Sequence, residues 1–326
     1  MTSIAFFSAH RRFPWIRQLP VDGGGVIAGG TSIDETLPDC RLLVVYDEPP
    51  EGLMTDIPRE NRLVVLSEPP GIKRYLPGYL DQFGLVLGPI EPKGHAGRWI
   101  ASHPALPWFY GIGFGTEGLV VNLPRDALRN LPQPAKETAI SVVLSRKSQL
   151  PKHRARLAFV EQLQGALGDR VRVFGRGFQE VGDKAEAIAP FAYHLVLENN
   201  DIPHFWTEKT ADAYLGWSFP VFSGCANLGD YFPENAFERI DITRPAEAIA
   251  QIAGLLDGGA RYAESLPALA AARASLFEAH DMLHVFERTL RGQKAPTRLA
   301  TPVRIRPNTD FSLYHRVRKS LRRLRD

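Results

Sequence analysis

A chain of 326 residues is longer than one hydrophobic core usually serves, which points to two domains. Hydrophobic residues make up 44% and charged residues 23%, the balance of an ordinary soluble globular protein. Net charge is +3, yet the last thirteen residues, YHRVRKSLRRLRD, hold six basic side chains against one acidic, leaving the rest near −2 and disfavouring a nucleic-acid-binding body.

The two cysteines, Cys40 and Cys225, lie far apart and form no Cys-x-x-Cys, so a reducing compartment fits better than a disulfide framework. The N-terminal apolar run is too short for a signal peptide, and no stretch approaches the length of a membrane span. A cytoplasmic protein is expected.

In chain order, short apolar runs at 4–7, 42–46, 63–66 and 85–87 read as strands buried on both faces. The run DGGGVIAGG at 22–30 lacks the spacing of a phosphate loop and reads as a flexible loop. VVYDEPPEG at 44–52 and VVLSEPPGI at 64–72 echo each other, each placing an acid and two prolines after a strand. Residues 115–138 contain three prolines between polar flanks and read as a linker. Further strands are expected at 140–144, 171–174, 194–197 and 220–222, with helices at 152–167 and 208–215 and a long helical run from Pro245. This alternation predicts two α/β domains, 1–125 and 126–300, with a basic tail at 301–326. Ligands of such sheets bind beyond the carboxyl ends of the strands.

The stretch LVLENNDIPHFWTEK ends one strand and opens a helix. Glu198 and Asn199 fall at the strand's end, Thr207 is a candidate helix cap, and the entrance with Lys209 favours an anion. Glu208 can accept hydrogen bonds from sugar or ribose hydroxyls. On spacing alone, a diphosphate-sugar site and a solvated first helical turn both remain open.

Segment 193–242 resembles the C-terminal motif of the fucosyltransferases of glycosyltransferase family 10. That family shows an apolar strand ending in Glu-Asn, an aromatic-x-Thr-Glu-Lys element, a helix, a Pro-Val strand ending near glycine, and an Asp-aromatic-x-Pro-x-Asn-x-Phe segment. Here these are Leu197-Glu198-Asn199, Phe205-Trp206-Thr207-Glu208-Lys209, Phe219-Pro220-Val221-Phe222-Ser223-Gly224 and DYFPENAFERIDI at 230–242. Upstream, 142–163 is similar to the family's strand and helix that carry a phosphate-binding arginine, matched by Arg156 with Arg154 as the fallback. VRVFGRG at 171–177 resembles the next strand and glycine. LSEPP at 66–70 resembles the segment of the catalytic glutamate, and ALPWFYG at 105–111 the end of the first domain.

The resemblance implies a bacterial family member with an α/β GT-B fold, two facing Rossmann-like domains with a cleft between them. It implies inverting transfer of fucose from GDP-fucose to a hydroxyl of a glycan acceptor of the surface polysaccharide or lipopolysaccharide type. Glu68 is then the base, with Glu48 ranked below it. Arg156 and Lys209 neutralise the diphosphate, Asn199 and Glu208 hold the nucleoside and sugar, and Phe205 offers a stacking face. Phe205 stands where the family usually has tyrosine and lacks the hydroxyl donor, which leaves a donor sugar other than fucose open. A non-catalytic GDP- or glycan-binding protein is the reading from another class. Glu198 is read either as a ligand contact or as a buried acid fixing the Lys209 loop, and His204 either as a ligand contact or as a plain loop histidine.

There is no Asp-x-Asp, and His280 and His284, though four apart, lack the glutamate of a zinc helix, so no obligatory metal or cofactor is expected beyond the GDP-sugar donor. His10, His103, His153 and His194 are isolated in the sequence. Written as a helix, the tail puts Leu313, Val317, Leu321 and Leu324 on one stripe among basic residues, which predicts peripheral attachment to an anionic inner-membrane surface.

Overall fold

The computed structural model describes residues 3–10, 13–18, 26–28, 40–105, 107–116, 118–146, 150–291 and 293–312. The chain divides into two compact units, residues 1–105 with 282–326, and residues 106–281.

The first unit opens with β1 (Ser3–Ser8), β2 (Val26–Ala28), β3 (Cys40–Tyr46), the short β4 (Met54–Thr55), β5 (Arg62–Val65), α1 (Pro77–Leu80), β6 (Leu85–Gly88) and β7 (Arg98–Ala101). All of these strands but β4 form one parallel sheet in the order β2-β1-β3-β5-β6-β7. Its central strands carry consecutive apolar residues because both faces are covered; Val44, Val45, Val64 and Val65 are fully buried. Winding starts at β1, goes to β2 on one side, then reverses to β3 on the other, so the carboxyl ends of β1 and β3 border a topological switch point.

The second unit holds the antiparallel hairpin β8 (Ile112–Gly115) and β9 (Gly118–Val121), then α2 (Arg125–Arg129), β10 (Glu137–Val143), α3 (Pro151–Leu167), β11 (Val171–Phe174), α4 (Lys184–Ile188), β12 (Phe191–Leu197), α5 (Glu208–Leu215), β13 (Phe219–Ser223), β14 (Glu238–Arg239), α6 (Pro245–Gly258) and α7 (Ala260–Ser275). Five of these strands form a parallel sheet in the order β11-β10-β12-β13-β14. Here the winding reverses between β10 and β12. The chain then returns to the first unit with α8 (Met282–Leu290) and β15 (Val303–Arg304), which pairs with β4. Two α/β units, each on an open parallel sheet with one reversal of winding, are the Rossmann-like pair of the GT-B fold.

Both unit boundaries differ from those expected at 125 and 300. Residues 108–111, expected to end the first domain, are anchored in the second unit. The Phe109 and Tyr110 amides both donate to Asp212 at 2.9 Å, the Gly111 amide donates to Asp183 at 2.9 Å, and Trp108 lies in that unit's core. The helical run from Pro245 is interrupted at Gly259, whose φ of +63° ends α6, and at Asp281, which is extended. Beyond Asp281, Phe286 stacks on Phe6 at 5.8 Å and Arg98 donates to the Thr289 carbonyl, fixing α8 to the first unit. Strands β2, β7 and β14 were not legible: each is short and lies at a sheet edge. β2 lies inside the glycine-rich run expected to be a loop; the rest of 22–30 lies outside the described residues.

Candidate functional site

In the second unit, the carboxyl ends of β10 and β12 and the starts of α3 and α5 bring together residues far apart in sequence. Glu198 leaves β12 fully buried. Its Oε1 accepts from the Thr207 amide at 2.8 Å and the Thr207 hydroxyl at 2.9 Å, and its Oε2 accepts from Lys209 Nζ at 3.4 Å. Thr207 caps α5. Its Oγ1 also accepts from Lys209 Nζ at 3.0 Å. Of the two readings left open, Glu198 is therefore the buried acid that fixes the Lys209 turn. Gly224 passes directly over it: a Cβ there would lie 2.9 Å from Glu198 Cγ and 2.6 Å from the Phe222 ring.

Lys209 is one-fifth exposed and also meets Glu208 Oε1 at 3.4 Å. Burial pushes its pKa down, and the Glu198 and Glu208 carboxylates outweigh that and raise it, so it stays a cation. Burial pushes the Glu208 carboxyl up, but Lys209 and Lys184 hold it down to about 2. Lys184 was not anticipated; it lies 3.8 Å from Glu208 and 2.8 Å from Asp212. The Arg156 guanidinium, nine-tenths buried, donates to Asn199 Oδ1, while its Nε has no hydrogen-bond partner among the described residues. Arg154, two residues earlier on α3, is exposed. Arg156, Asn199, Glu208 and Lys209 thus form one charged group at the switch point, with Glu198 and Thr207 beneath it.

One expectation changes, and of the two readings of His204 one is favoured. Phe205 is 2% exposed, so its ring offers no open stacking face. His204 has φ +67°, and its ring Nδ1 lies 2.7 Å from the Tyr231 hydroxyl and 3.0 Å from Asn227 Nδ2. Those bonds, with its amide donating to Asn227 at 2.7 Å, give it a loop-holding role.

In the first unit, Glu68 is exposed just beyond β5, at the carboxyl edge of the sheet. The Tyr75 hydroxyl accepts from the Ser67 and Glu68 amides at 3.2 and 3.3 Å. Glu48 is committed elsewhere: it pairs with Lys73 at 2.8 Å and accepts from the Asn308 amide at 2.9 Å. Its neighbour Asp47 is the hub of this edge. Asp47 Oδ1 accepts from Lys73 at 2.9 Å and from the Tyr75 hydroxyl at 2.5 Å, and Oδ2 meets His10 Nε2 at 3.0 Å. The available signal was positional: His10, Asp47 and Glu68 each fall within three residues after a parallel strand.

Among the described residues no group of three or more His, Cys, Asp or Glu is placed to hold a metal ion, and no helix is long and apolar enough to cross a membrane.

Residues 133–264, which contain the whole Arg156–Lys209 group, match the family described as glycosyltransferase family 10 (fucosyltransferase), C-terminal. The chain carries a domain of that family and is a glycosyltransferase. A comparison with curated protein sequences gives no match. Among solved structures it is similar to an alpha1,3-fucosyltransferase (15% identity, 81% of each chain, TM-score 0.47). It is likewise similar to an alpha1,3-fucosyltransferase with GDP (17%, 81% of each, 0.49) and to one with GDP-fucose (17%, 70% of this chain and 69% of that one, 0.43).

Proposed function

We propose that the protein transfers fucose from GDP-fucose to a hydroxyl of a glycan acceptor with inversion at the sugar carbon. The observation that carries this reading is the group of Arg156, Asn199, Glu208 and Lys209 at the switch point, inside the segment that matches the family. The second unit binds the donor. Arg156 and Lys209 oppose the charge that develops on the leaving diphosphate, the guanidinium through a partly desolvated and directional contact. Glu208, held ionised, accepts from ribose or sugar hydroxyls, and the Asn199 amide adds a donor.

The first unit binds the acceptor, and Glu68 takes the hydroxyl proton as the new carbon–oxygen bond forms and the bond to diphosphate breaks. Two cations already oppose the diphosphate, so the reaction needs no obligatory metal. The acceptor belongs to the surface polysaccharide or lipopolysaccharide class. The C-terminal residues, which lie outside the described ones, hold the enzyme on the cytoplasmic side of an anionic membrane; support comes from their basic, amphipathic sequence.

A thermal-shift panel of GDP, UDP and CMP sugars tests the donor class, since a ligand that binds the native state raises the midpoint. A shift confined to GDP compounds, followed by GDP release from GDP-fucose, supports the reading. A shift confined to UDP or CMP compounds overturns it.

A further inference from the structure

At the carboxyl edge of the first unit's sheet, the His10–Asp47 pair sits at the topological switch point, where an open α/β sheet receives its ligand. Asp47 is nearly buried, at 4% exposure, and three side chains hold it. Its backbone is unusual: φ is +63°, and the Glu48 amide closes a tight turn onto the Tyr46 carbonyl at 2.8 Å. A non-glycine residue in that region is uncommon and clusters at functional sites. His10, by contrast, is 57% exposed. With Nε2 turned to Asp47, its Nδ1 has no hydrogen-bond partner among the described residues. A buried, ionised acid behind a half-exposed imidazole with one nitrogen open is the arrangement that orients a histidine for proton transfer.

The same Asp47 also controls Glu68. Through Oδ1 it holds the Tyr75 hydroxyl, which in turn holds the Ser67 and Glu68 amides. One carboxylate therefore sets the position of the imidazole and of the segment that carries the base. The charged groups acting on His10 are Asp47, Lys73 and Glu68; Tyr75 and Glu48 lie one contact further out. The Asp47 hydrogen bond is the largest influence and raises the His10 pKa above its ordinary 6.5, towards the range where a shuttle exchanges protons with water at neutral pH.

The geometry points to His10 as the outlet for the proton of the transfer reaction, with Asp47 as its positioning residue. The inference rests on the transferase reading above. The acceptor oxygen bonds to the sugar carbon, the bond from that carbon to the diphosphate oxygen breaks with its electron pair leaving on GDP, and the hydroxyl proton passes to Glu68. Neutral His10 takes that proton at Nδ1, its Nε2–H staying on Asp47, and releases it to water from its exposed face.

Turnover of GDP-fucose with water as acceptor tests this on the full chain, without knowledge of the glycan. His10→Ala and His10→Gln should each slow GDP release by about tenfold or more, with GDP affinity by calorimetry unchanged. Added imidazole should restore the rate in His10→Ala, a response that a structural role would not give. The wild-type rate should fall on the acid side as His10 protonates. Asp47→Asn, which no longer favours the imidazolium, should move that limb to lower pH. Wild-type rates and an unchanged acid limb in both His10 variants would overturn the proposal and leave the transferase reading intact. Slowed variants that bind GDP but ignore imidazole would also overturn it. A wild-type protein that binds GDP but releases none from GDP-fucose would instead remove the transferase reading, and this proposal with it.

Discussion

Glu198 and Thr207 close a buried ring: the amide and hydroxyl of Thr207 both donate to one carboxylate that solvent does not reach. The ring ties the end of β12 to the first turn of α5 and sets where Lys209 stands. Glu198→Gln removes the charge and leaves a donor facing donors. It should cost about 1–3 kcal/mol, read as a lower thermal midpoint, and should weaken GDP binding by displacing Lys209. Thr207→Val should act in the same direction. Midpoints equal to wild type in both variants would mean that the ring contributes nothing.

Glu208 makes part of the stability pH-dependent. Its folded pKa of about 2 lies below the ordinary 4.5, so its contribution is complete above pH 4.5 and is lost as pH falls toward 2. Asp47, also held below the usual carboxylate range, adds to the same acid loss. Thermal midpoints of Glu208→Gln should therefore fall less steeply with acid than those of wild type over that window. Parallel curves would show that the flanking lysines do not stabilise the carboxylate.

Lys209→Ala and Arg156→Ala should each weaken GDP binding by about 10–100-fold, the size of one charge-assisted contact. Arg154→Ala, on the exposed side of α3, should have little effect. Calorimetry showing full GDP affinity in both of the first two variants would place the diphosphate elsewhere.

Much of this site was legible because it is local. Glu198, Thr207, Glu208 and Lys209 lie within twelve residues, and a strand end followed by a capped helix fixes their geometry without distant help. Arg156 needed the family pattern, since α3 carries Arg154 on one side and Arg156 on the other. The Asp47 hub was not legible. Its partners come from two separate loops, His10 after β1 and Lys73 with Tyr75 after β5, and only the order of the parallel strands brings them together. The unit boundaries failed for a similar reason. Trp108 and Phe286 look alike as apolar residues in sequence, and only packing assigns the first to one core and the second to the other.

The basic tail predicts salt-sensitive attachment to anionic vesicles. Each basic residue near such a surface contributes about 1 kcal/mol, within a Debye length. The full chain should co-sediment with liposomes containing anionic lipid and remain in solution with neutral ones, and a chain ending at Asp310 should remain in solution with both. Equal pelleting of the two chains would remove the membrane role from this segment.

The central claim is that Glu68 is the base of a transfer from a GDP-sugar donor, without an obligatory metal. It is tested most directly by measuring GDP release from GDP-fucose by wild type and Glu68→Gln, each with EDTA present. The account predicts turnover by wild type in EDTA, a fall of ~10²-fold or more in the variant, and equal GDP affinity in the two. A protein that binds GDP but releases none, a wild type that is silent until Mn²⁺ or Mg²⁺ is added, or a Glu68→Gln variant as active as wild type would contradict it.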